Sequence, residues 1–63
     1  MNQKLIELRG DKTQVEVAGA LKISPSALRS YELYGVTPKR DKMIKLANYY
    51  GVTVQELFFS EQN

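Results

Sequence analysis

Residues 13–32 read TQVEVAGALKISPSALRSYE, and two helix starts are written into them. In TQVE, residues 13–16, the Thr13 hydroxyl and the Glu16 carboxylate can each satisfy an orphan first-turn amide, the reciprocal arrangement of a capping box. Further on, Ser24 precedes Pro25, which reads as an N-cap followed by proline at the first helical position, where its missing N–H costs nothing and its fixed φ already fits. Val17, Ala18 and Leu21 recur at helical spacing after the first start, as do Leu28 and Tyr31 after the second, so each helix has one apolar face. LKIS is all that separates them, too short for anything but a tight turn.

The second of these helices has an unusual outer face. With Leu28 and Tyr31 turned inward, Ser26, Arg29 and Ser30 face out, and Ser26 and Ser30 share one stripe at i, i+4. Serine is a middling helix former whose short side chain covers little backbone, so a merely solvated helix would carry Glu, Lys or Gln there. Short hydrogen-bonding side chains beside one long cation suit close approach to a polar surface, of which the groove of duplex DNA is one.

Working outward, the same spacing rules predict three more helices and no strand, since no run alternates with period two. A first helix starts after Asn2, carries Leu5, Ile6 and Leu8, and stops at Gly10. After Glu32, LYGVTPKR reads as a loop holding Gly35, Thr37 and Pro38. A fourth helix runs from about residue 39 to Tyr50, with Met43, Ile44, Leu46, Ala47 and Tyr50 as core positions, and Gly51 ends it. A second capping box, TVQE at 53–56, opens a short fifth helix, with Val52 placed to staple onto Leu57. The expected architecture is an all-α, compact five-helix bundle: a single domain over residues 1–63, a helix-turn-helix at about 13–33 and a frayed tail over 60–63.

Composition narrows the function. Sixty-three residues suffice for one small core. Without cysteine or histidine the chain lacks thiolate ligands, the commonest metal ligand and the commonest general base. An enzyme, a metal site and a cofactor are therefore not expected, no catalytic residue is assigned, and no small-molecule ligand is evident. No long apolar run or export signal is visible, which makes the cytoplasm the expected compartment. The net charge of +2 is unevenly spread: residues 1–50 hold all nine Lys and Arg against five acids, and residues 51–63 hold only Glu56 and Glu61. The body of the chain is thus basic, as a polyanion-binding surface is, although many solvated surfaces are mildly basic too.

Taken together, TQVEVAGALKISPSALRSYE, the following proline and KLANYYGVTVQELF resemble the five-helix helix-turn-helix domain of the phage Cro and repressor (XRE-type) family of transcriptional regulators. The resemblance covers roughly residues 5–59. It implies that residues 24–32 are a recognition helix lying in the major groove of double-stranded DNA. Gln14, which opens the preceding helix, would bond a phosphate and help orient a recognition-helix side chain; a solvent-facing first-turn residue is the plainer alternative. Ser24 is a cap first and a phosphate donor second, and Pro25 and Ser26 sit beside it at the leading end. Arg29 could read guanine through its bidentate fork, hold a phosphate or stay solvated. Thr37, Lys39 and Arg40, with Lys42 behind them, fall in and after a loop that runs along the DNA backbone in the family; the alternative is a solvated positive face. Arg9 is implied to pair inside the domain with Glu32 and so to be structural rather than DNA-binding. The match departs from the family pattern at Lys22, where glycine is usual, so either the turn is adjusted or a lysine holds positive φ. It departs also in the short GDK link before Thr13, at Gly35, which falls one place late, and at Arg40 on the fourth helix.

The fifth helix carries Val54, Leu57, Phe58 and Phe59, more apolar surface than one short helix can turn toward one core. The surplus, expected to include Phe59, would form an association patch. A twofold homodimer through Val54, Phe58 and Phe59 would cover it and set two recognition helices about 34 Å apart, one DNA turn. The expected function is a sequence-specific, DNA-binding repressor acting as a homodimer on a palindromic operator. The alternative is an antitoxin-like or other protein-binding helical module that uses the same aromatic patch.

Overall fold

Helices α1 (Gln3–Arg9), α2 (Gln14–Leu21) and α3 (Pro25–Leu33) each begin at a side-chain cap in the computed structural model, which describes residues 1–59. Asn2 Oδ1 accepts from the Leu5 amide at 3.1 Å and Ser24 Oγ from the Ala27 amide at 3.0 Å. Both halves of the Thr13–Glu16 box are formed: the Glu16 amide donates to Thr13 Oγ1 and the Thr13 amide to Glu16 Oε1. Helix α4 (Arg40–Tyr50) is the exception, with Lys39 at its N-cap and no side-chain cap bond. The tail expected over 60–63 lies outside the described residues.

The α2–α3 turn answers the question raised by Lys22. Its backbone is left-handed, φ 60° and ψ 42°, and its amide donates back to Ala18 and Gly19, closing α2 as a glycine would. A non-glycine residue there costs about 1 kcal/mol. Ile23 completes the turn: its amide bonds the Ala18 carbonyl and its side chain packs against the core.

That core is Leu5 from α1, Val17, Ala18 and Leu21 from α2, Leu28 from α3, Leu46 and Ala47 from α4, and Leu57. Leu8, Ile23, Tyr31, Tyr50 and Val52 pack around it, half-buried. One expected core residue is displaced: Ile44 is 43% exposed. Helix α4 runs with Leu46, Ala47 and Tyr50 on the inside, and position 44, two before Leu46, falls roughly opposite it at 100° per residue.

After Gly51 the TVQE box forms, Thr53 Oγ1 accepting from the Glu56 amide at 3.0 Å and Glu56 Oε1 from the Thr53 amide at 2.9 Å. That backbone bond is the main cause holding the Glu56 carboxyl below its ordinary range. The element it opens, α5 (Gln55–Phe59), is a π-type turn rather than an ordinary helix. Five residues, not four, close each hydrogen-bonded loop, so neighbouring side chains diverge less around the axis. Leu57 and Phe58 can therefore both lean inward. No helix among the described residues is long and apolar enough to cross a membrane.

Candidate nucleic-acid interface

Helix α3 presents the site. Leu28 is fully buried, anchoring one face, and the opposite face shows Ser26 and Arg29 to solvent, with Ser24 and Pro25 exposed at its leading end. Arg29 enters neither ion pair found among the described residues, Arg9–Glu32 and Lys42–Asp41, so its fork is free for an outside acceptor. Ser30 departs from the expected fully outward position. It is half-buried, and its carbonyl accepts from the amides of Tyr34 and Val36, which ties the following loop to the end of α3.

Thr37, Lys39 and Arg40 are all exposed, and Pro38 between them is buried, pinning the loop to the body while its neighbours point out. The first turn of α4 adds unpaired amides, because Lys39 supplies no cap bond. Cations beside an uncapped helix N-terminus work against the helix dipole, an arrangement that an anion would reverse.

Behind this face lies a polar cluster. Glu32, on α3, is fully buried, and its carboxylate accepts from Arg9 Nε at 2.9 Å on Oε2 and 3.2 Å on Oε1. Gln14 is half-buried, and its Nε2 donates to Glu32 Oε1 at 3.0 Å, so the side chain is held rather than free in solvent. Arg9 Nη1 also donates to the Lys12 carbonyl at 2.7 Å, bracing the short GDK link. Lys12 in turn lies 3.3 Å from the Tyr49 hydroxyl and 5.5 Å from the centre of that ring. Tyr50, against Tyr49, has a buried hydroxyl with no hydrogen-bond partner among the described residues; burial, and then the charge of Glu32, push it up to about 12.

Of the three residues expected to form an association patch, only Phe59 stands out, at 54% exposure. Val54 and Phe58 are half-buried against the core and offer only part of their surface. Sequence reasoning missed a different exposed apolar group, Leu33, Tyr34 and Val36, in what reads as a simple loop. Val36 and Phe58 line a common groove with Tyr31 and Leu57, so the loop and α5 border one surface. The signal was available as an apolar run, LYGV, where a solvated loop would be polar. Val15, 67% exposed on α2, was likewise missed, its outward position hidden by the apolar composition of that helix.

A tight left-handed turn, a capped second helix with a small polar face and an adjoining basic loop define a helix-turn-helix, the class of fold that presents one helix to DNA. A family model described as "Helix-turn-helix" matches residues 3–57, and the chain belongs to that family, the DNA-binding transcription regulators of the XRE type. No curated protein and no solved structure gives a match.

Proposed function

We propose that this regulator is a repressor that binds a palindromic operator as a homodimer, with α3 in the major groove and Ser26 and Arg29 reading base edges. The observation that carries the reading is the outer face of α3: exposed, short-chained and holding an arginine outside both ion pairs. Gln14, Ser24, Thr37, Lys39 and Arg40 then hold the phosphates on either side, and Pro25 and Ser30 shape the helix between them. Repression follows from occlusion of a promoter. Exposed Phe59, at the edge of α5, supports the twofold contact.

The test begins with selection of bound sites from a random duplex pool. Arg29→Ala should then abolish most of the preference for the selected site, about 1–3 kcal/mol for one bidentate contact, while random DNA is bound nearly as before. Lys39→Ala should weaken both about equally and reduce the salt slope by about one unit. Retained preference in Arg29→Ala would overturn the assignment of α3. A wild-type chain that remains monomeric both free and on DNA would overturn the homodimer and return Phe59 to the protein-binding alternative.

A further inference from the structure

The Glu32 carboxylate joins three helices, and its chemistry constrains one of its partners more than simple pairing requires. It is fully buried and beside the Arg9 guanidinium, at 2.9 Å. An ionised carboxylate only accepts hydrogen bonds, so it can meet the Gln14 carboxamide only at its NH2 edge. The contact at 3.0 Å is with Nε2 accordingly. This bond occupies one of the two Nε2 hydrogens and fixes the rotation of the amide plane, so the second hydrogen keeps a set direction and stays available to donate. Toward a phosphate only that hydrogen is useful, since the amide oxygen would face another oxygen.

We propose that Glu32 is a positioning residue for DNA binding: from inside the domain it fixes the amide plane of Gln14, so that the second Nε2 hydrogen is held ready for the phosphate backbone. The proposal rests on the reading of Gln14 as a backbone contact. Arg9 acts one step further back, by holding the plane of the Glu32 carboxylate through its two contacts. The cluster thus transmits the packing of α1 against α3 to the first turn of α2, and the small protein presents a side chain whose orientation is settled before DNA arrives. Holding a donor in place beforehand removes part of the ordering cost of the contact.

A random-sequence duplex of about two helical turns is the suitable probe, since phosphate contacts carry no sequence information. Gln14→Met keeps the volume and loses the amide. Glu32→Gln keeps the shape but can both donate and accept, so it no longer selects an edge. Each should weaken binding about 3- to 10-fold, and the double variant should be no weaker than the weaker single one, because both remove the same contact. Gln14→Met that binds like wild type would overturn the backbone role of Gln14 and the proposal with it. Gln14→Met that weakens binding, with Glu32→Gln unchanged or the two effects additive, would overturn the proposal alone. A measurement on the wild-type chain serves even where Glu32→Gln does not fold: the two Gln14 side-chain N–H resonances. The proton bonded to Glu32 should keep its shift on addition of the duplex while its twin moves. Both protons moving together, or neither, would overturn the assigned orientation.

Discussion

Arg9→Ala and Glu32→Ala remove opposite ends of one ion pair, and the structure makes them unequal. Glu32 is fully buried, with Arg9 and Gln14 as its hydrogen-bond donors, so Arg9→Ala seals a carboxylate inside with one neutral donor left. In Glu32→Ala the survivor is a guanidinium that is 20% exposed and keeps its bond to the Lys12 carbonyl. A long cationic side chain can also lift its head toward water. Breaking a buried pair costs about 3–5 kcal/mol, which places Glu32→Ala near 3 and Arg9→Ala nearer 5. At roughly 0.05–0.15 kcal/mol per residue the whole domain has only about 3–9 kcal/mol to lose, so Arg9→Ala consumes most of it. Urea unfolding followed by circular dichroism would give both values on one scale, with the slope checked for two-state behaviour. The double replacement Arg9→Met with Glu32→Leu should return to within about 1 kcal/mol of wild type, since an apolar pair of similar volume needs no desolvation. A Glu32→Ala cost equal to or larger than that of Arg9→Ala would refute the reasoning, because it would mean that burial does not decide which charge is the more expensive to strand.

Lys22→Gly should stabilise the chain by about 0.5 kcal/mol: relief of the left-handed backbone is worth about 1 kcal/mol and the looser unfolded state returns about half of it. A thermal midpoint that falls instead of rising by a few degrees would contradict this. Tyr50→Phe should be neutral or slightly stabilising at neutral pH, because the hydroxyl it deletes is buried without a partner among the described residues. The same variant tests a pH effect: the Tyr50 hydroxyl rises from 10.0 to about 12 on folding, so its contribution is whole below pH 10 and is lost as pH climbs toward 12. Solvent screening of the half-buried ring limits that loss to about 1 kcal/mol, and wild type should lose more stability than Tyr50→Phe over this window. Equal alkaline losses in the two proteins would argue against it. Phe59→Lys should leave the fold within about 0.5 kcal/mol of wild type, disperse the proposed homodimer in sedimentation and weaken a two-half-site duplex far more than a single half-site.

What could be read from the sequence is what local chemistry decides. The boxes at Thr13 and Thr53, the Ser24–Pro25 start and the glycine stop at Gly51 each depend on residues within one turn, and the spacing of Val17, Ala18, Leu21 and Leu28 marks a core that any packing of these helices would bury. Lys22 left two outcomes open because a turn can be strained or adjusted at similar cost, and the helix geometry on both sides decides between them. The exposure of Ile44 and the inward lean of Phe58 were hidden for a different reason: both follow from how far a helix is rotated against its neighbours, which periodicity alone does not fix. The bond from Gln14 to Glu32 spans 18 residues and was out of reach of spacing rules. The Arg9–Glu32 pair was expected from the family resemblance, whereas nothing in that resemblance tied Gln14 to the same carboxylate.

Asn2 is small and polar, and its side-chain cap on α1 is only one of its four bonds, another being the Ile6 amide on its carbonyl at 3.3 Å. Its backbone amide donates to the Glu32 carbonyl at 2.7 Å, and its side-chain amide donates to the Leu57 carbonyl at 2.9 Å, 55 residues away. One side chain therefore buckles the beginning of the domain to its last turn. Pulled apart at residues 1 and 59, the domain would load this buckle before any force reached the apolar interior, and the first event would be the parting of a few hydrogen bonds. The end of α3 is one of the anchor points, so such a tug would be felt first by the helix proposed to lie against DNA.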